Sequence, residues 1–253
     1  MTGGLGRAIR YWETPAALSP NNSSTTIDMS LDRRDFVGRL AAGALLATVP
    51  APVDASVRFL SQSTRPSAED WDLSWVNRLT GKYRAIFDVP EIDSGYGVWR
   101  ASIWGRQYQE VLGAKPNELS AVVVLRHNGI ALAMQQAYWD KYAIGKEKNV
   151  MHPVTQQGTD RNPALLSSSR NEVPAMFDDA ALDKFIARGG VALACNLALQ
   201  DVVEAIQKKA SVSEADARKQ ALGFMVPGVI LQPSGVFAAL HAQDAGCKYL
   251  RAS

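Results

Sequence analysis

Apolar residues fall along this chain in short unbroken runs separated by longer stretches of helical spacing, and the alternation predicts the fold. KYRAIFDVP (82–90) predicts a first strand, with Ala85, Ile86, Phe87 and Val89 close to continuous. Residues 95–112 then place Val98, Ile103, Tyr108, Val111 and Leu112 at helix-like intervals. LSAVVVLRH predicts the second strand, and its stretch Ala121 to Leu125 is so uniformly apolar that both faces must be covered. IALAMQQAYWDKYAI continues as helix or helical loop, and residues 145–176 turn rich in Gly, Asn, Pro and Ser, which predicts a long surface loop, a candidate lid.

FDDAALDKFIARGG predicts a helix capped by Asp178 or Asp179 and stopped by Gly189 and Gly190. VALAC follows as a third strand, then a helix from about Asn196 to Lys209, and another whose start Ser211 or Ser213 can cap. VPGVILQP predicts the fourth strand. SGVFAALHAQDAG predicts a helix with Val236, Ala239 and Leu240 on one side and Gly246 as its stop, and CKYLRA a short fifth strand. Strands alternating with helices predict an α/β fold, doubly wound, with a mainly parallel sheet of about five strands and right-handed crossovers.

The first 80 residues stand apart from that pattern. Residues 1–28 lack periodicity and are expected to be disordered. The glycines of TGGLG match neither usual nucleotide fingerprint, and no strand precedes them. Residues 29–55 place Arg33, Arg34 and Phe36 before a mildly apolar stretch from Leu40 to Val49, with small residues at Val53 and Ala55. The stretch, about ten residues, is too short for a bilayer core that needs roughly 20. This segment resembles a twin-arginine export signal, which implies cleavage after Ala55, export machinery as a partner, and a periplasmic or secreted mature chain. Met29 lies where such signals begin, so 1–28 is expected to reflect an upstream start. Residues 56–80 are expected to be a linker and a short helical segment, and 81–253 the folded domain.

Composition narrows the partners. A hydrophobic share of 47% with a net charge of +2 is ordinary globular material, and the cations are too scattered for a nucleic-acid stripe. No other apolar run approaches membrane-spanning length, so the mature chain is not expected to span one. No strand is followed by the Gly-rich turn of a nicotinamide or flavin site, so no cofactor is expected. Three His and two Cys so widely spread give no metal spacing; His152 and His241 stay unassigned. Trp99 and Trp104 fall on different faces of one helix, whereas Trp139 and Tyr142 share one, in core or at a subunit interface.

In a parallel sheet, ligands gather beyond the carboxyl ends of the strands, where helix amino ends offer free N–H groups. Cys195 lies at that edge, beside a helix start that favours a thiolate. Arg126, His127 and Asn128 end the second strand at the same edge, so a Cys/His pair forms if the two strands are neighbours. Cys195, His127 and Arg126 are the candidate reactive group and its tuning partners, with Asn128 and Asn196 as ligand-binding groups. The alternative is that Cys195 is a packed core residue and His127 a strand-end hydrogen bonder. Cys247 begins the last strand and lies at the opposite edge; a five-residue strand spans about 16 Å, beyond the roughly 7 Å a disulfide tolerates, so no bridge is expected.

The strings VVVLRHNGIALA, GGVALACNLAL and VPGVILQPSGVFAALHAQDAGCKYL carry a resemblance. From about Lys82 onward, two thirds of the chain, the sequence resembles the DsrE/DsrF-like sulfur-relay superfamily, including its exported branch. The resemblance implies a flavodoxin-like sheet, a homo-oligomer, and persulfide chemistry at the position of Cys195. Two functions remain open: sulfur or redox chemistry through Cys195, or an oligomeric small-ligand-binding protein in which Cys195 only packs.

Overall fold

The computed structural model describes residues 71–253. Arg33, Arg34 and Phe36, the cleavage site and the linker up to residue 70 lie outside the described residues. Five strands, β1 (Tyr83–Val89), β2 (Leu119–Leu125), β3 (Val191–Cys195), β4 (Ile230–Gln232) and β5 (Lys248–Arg251), form one sheet. All four pairings are parallel, in the order β4-β3-β2-β1-β5. The helices are α1 (Tyr96–Leu112), α2 (Gln136–Tyr142), α3 (Ile144–Glu147), α4 (Leu182–Ala187), α5 (Asn196–Ala210), α6 (Glu214–Gly223) and α7 (Gly235–Asp244). The doubly wound, flavodoxin-like α/β class is therefore present, with a strand order of its own rather than the 2-1-3-4-5 of flavodoxin.

Alternation along the strands divides the core in two. Ala85, Phe87, Val89, Val123 and Leu125 pack with Val98 of α1 and with Leu199, Val203 and Ile206 of α5. Ile86, Val122, Val124, Val191 and Leu193 pack under Ala238, Ala239 and Ala242 of α7, beside Trp75. The first three crossovers progress one way across the sheet with helices on the first face. The last reverses direction and carries α7 on the second face, so all four keep one hand. Each large side chain buried in these layers contributes roughly 1.5–3 kcal/mol relative to exposure.

Glycines set the close approaches. A Cβ at Gly97 would sit 2.6 Å from the Val89 methyls, so α1 lies directly on the end of β1. Gly189, at φ +93, closes α4 as its position predicts, its N–H meeting the Ile186 carbonyl at 2.9 Å.

Several local expectations are corrected. The N-cap of α4 is Ala181, not Asp178 or Asp179; Asp178 instead accepts the Ser168 hydroxyl and, at 2.7 Å, the Ser168 N–H, which together hold its carboxyl below the usual range. Ser213, not Ser211, caps α6. On α7 the buried positions are Gly235, Ala238, Ala239 and Ala242, while Val236 and Leu240 are exposed. Residues 145–176 are no bare surface loop. Asn162, fully buried, donates to the Leu132 and Met134 carbonyls, and Ala164, Leu166 and Val173 are buried with it. The segment acts as a strap over the amino end of α1, where Tyr96 donates to the Pro153 carbonyl at 2.7 Å and Trp99 stacks on Phe177.

Candidate functional site

The carboxyl edge of the sheet is built where β1 and β2 end together. Leu125 pairs with Val89, and the chain leaving β2 stays knitted to the chain leaving β1 through Arg126 N–H to Val89 O and Gly129 N–H to Pro90 O. Position 129 must be glycine, since a Cβ would lie 2.2 Å from the Val89 oxygen. Between these anchors His127 is held at φ +50, a left-handed conformation that costs a residue with a side chain on the order of 1 kcal/mol. That backbone aims the imidazole at Glu91: Nδ1 lies 3.2 Å from Oε1, while Oε2 accepts Asn128 Nδ2 at 2.8 Å. The His127 side chain is about two-thirds exposed. The carboxylate on Nδ1 orients the ring, and among the described residues nothing hydrogen-bonds Nε2. The Ser253 hydroxyl accepts the Glu91 N–H at 3.0 Å, which ties the last residue to the same edge.

Arg126 turns away from that pair. Its Nε and one terminal nitrogen each donate to Asp88 at 2.7 Å, and Tyr249 donates its hydroxyl to the same carboxylate at 2.6 Å. Asp88 is 1% exposed, so these bonds compensate a buried charge. The hydrogen bond to Asp88 also holds the Arg126 and Tyr249 protons more tightly than usual. The aliphatic part of Arg126 lies on Gly235, where a Cβ would approach its Cδ to 2.5 Å.

Cys195 ends β3 and is the N-cap of α5. Its Sγ accepts the Ala198 N–H at 3.4 Å, and the residue is 6% exposed. Asn196 accepts a bond from Arg218 of α6 at 2.7 Å. β2 and β3 are neighbours, as the Cys/His reading requires, with Leu125 paired to Ala194. All five sequence candidates therefore reach one edge. Their side chains nevertheless divide among four separate sets of partners, and among the described residues neither Arg126 nor His127 hydrogen-bonds Cys195. Both cysteines are free, and burial pushes the Cys247 thiol up to about 11. No family model, curated protein or solved structure matches this chain.

Sequence reasoning missed Asp88, Glu91 and Tyr249. Asp88 carried a signal: a carboxylate inside the run AIFDV, on a strand buried on both faces, requires a cationic partner. Glu91 and Tyr249 carried none, because only strand order brings them to Arg126 and His127.

Proposed function

We propose that this chain is an exported protein of DsrE type that binds a small ligand at the carboxyl edge of its sheet, with Cys195 serving as a helix cap. The observation that carries this reading is the Glu91–His127 pair: an exposed imidazole fixed by a carboxylate, on a strained backbone that the surrounding hydrogen bonds hold in place. Nε2 offers the ligand one hydrogen bond from a preset direction, and Asn128 and Glu91 frame it. The burial of Cys195 and its bond to Ala198 support the capping role. Twin-arginine export and a homo-oligomer belong to the same proposal and rest on the sequence.

One observation favours a second reading, sulfur or redox chemistry at Cys195. Its Sγ accepts a backbone N–H at the start of a 15-residue helix, at the sheet edge where ligands of parallel α/β folds gather. Alkylation of the folded mature protein with iodoacetamide across pH 6–9, read by mass spectrometry at each cysteine, separates the two. With Cys195 as a cap, it labels only after unfolding and His127→Ala leaves labelling unchanged. Fast labelling of Cys195 below pH 7, slowed by His127→Ala, would reject the capping role and establish the sulfur reading.

A further inference from the structure

At the opposite, amino edge of the sheet, a groove of about 430 Å³ opens between α1 and α4, and it belongs to no residue of the carboxyl-edge site. The volume falls in the range of small-molecule sites, roughly 300–1,000 Å³. Leu119 and Ala121 of β2 and Trp104 of α1 line it, and the buried Phe185 closes it at the side of α4. Two glycines shape it. A Cβ at Gly190 would meet the Phe185 ring at 2.5 Å, so glycine there lets the ring lie against the start of β3. At Gly105 a Cβ would meet nothing nearer than Leu119 Cδ1 at 3.8 Å. Glycine inside a helix is conformationally costly, and here it leaves the space open.

The polar groups of the groove are cationic in balance. Arg106 and Arg188 both line it, and Asp179 is the one carboxylate among the lining residues. Arg106 donates to the Met176 carbonyl at 3.2 Å and lies 3.9 Å from Asp179. Arg188 donates to Ser102 Oγ at 3.1 Å and to the Asp179 carbonyl at 2.8 Å, with its other terminal nitrogen 3.5 Å from the Asp179 carboxylate. The last carbonyls of α4 are taken by the Gly189 and Gly190 N–H groups, so the guanidinium is not spent on them. A guanidinium carries five N–H donors, and among the described residues both arginines keep donors unspent beside the apolar lining.

We infer that this amino-edge groove is a binding site for a small aromatic carboxylate, its apolar body against Trp104, Leu119 and Ala121 and its carboxylate held by Arg106 and Arg188. Charge complementarity selects the anion, and the apolar lining beside the Trp104 indole selects an aromatic body. The site is independent of the carboxyl edge, so its failure leaves the proposed function standing.

The test is titration of the mature protein with 2-naphthoate, and with 2-naphthamide as the neutral isostere. Binding is followed by calorimetry and by the Trp104 indole resonance, identified through Trp104→Phe. Saturable binding that moves the Trp104 signal is expected, weakened about tenfold by Arg106→Gln and by loss of the ligand's charge. Gly105→Leu fills the groove from a position with free space, and is expected to abolish binding while the thermal midpoint is kept. If naphthoate leaves the Trp104 resonance unmoved, if the amide binds equally well, or if Arg106→Gln and Gly105→Leu bind as the parent does, the inference is wrong.

Discussion

Asp88 organises more of the carboxyl edge than any residue singled out from sequence. It is buried, and the three bonds it accepts reach from β1 to the residue after β2 and to β5. Removing its cation leaves a buried charge alone, whereas removing the tyrosine hydroxyl leaves the ion pair intact. Arg126→Ala is therefore expected to destabilise the fold by about 3 kcal/mol, and Tyr249→Phe by about 1 kcal/mol, read from urea unfolding midpoints. Equal effects would mean that Arg126 is not the chief partner of Asp88. The same comparison bears on function: Arg126, expected from sequence to tune Cys195, acts in the structure on Asp88. Sequence placed Arg126, His127, Asn128, Cys195 and Asn196 at one edge because strand ends can be read from apolar runs. Which side chain turns to which partner depends on backbone details such as the left-handed His127, and no periodicity encodes those.

Among the elements, the strap of residues 145–176 differs most from its sequence expectation. Its apolar residues, Ala164, Leu166 and Val173, are too few and too irregular to show a period, yet they are buried. Glu172 braces it internally, pairing with Arg161 at 2.8 Å and Arg170 at 2.9 Å. Burial works against the Glu172 charge, but the bonds from Arg170 and the Ser167 N–H, with the nearby arginines, outweigh it and hold the carboxyl below its usual range. A carboxyl with a lowered native pKa contributes stability above its unfolded value of about 4.3, and that contribution is lost as pH falls through the lowered value. The strap is thus expected to loosen below about pH 4, with a change in the fluorescence of Trp99, which lines one cavity with Pro153, Leu166 and Val173 of the strap. Glu172→Gln should flatten that acid response and weaken the strap at neutral pH; an unchanged acid response in the variant would show that another group controls it. Helix α7 was misread for a different reason. Its sequence GVFAALHAQD is apolar on nearly every side, so periodicity could not choose a face. The sheet takes the alanine face because only small side chains allow so close a packing.

For the whole molecule, export and fold are separable properties. A chain exported with the proposed signal is expected to begin at Ser56, and amino-terminal sequencing of the secreted or periplasmic protein checks this. A mature chain that retains Arg33 and Arg34 would mean that the segment is not a cleaved signal. The sequence by itself determined the class of fold, the strands to within a few residues, and the edge at which its candidate residues collect. Local apolar runs and helical spacing suffice for those properties, since each depends on residues close together in the chain. Only the tertiary structure decided the strand order, with β5 beside β1, and with it the meeting of Tyr249 with Asp88 and of Ser253 with Glu91. It alone opened the amino-edge groove, whose sides come from helices about seventy residues apart in the chain. Such contacts depend on which crossover reverses direction and on how closely each helix can approach the sheet, and both are settled by packing across the whole molecule.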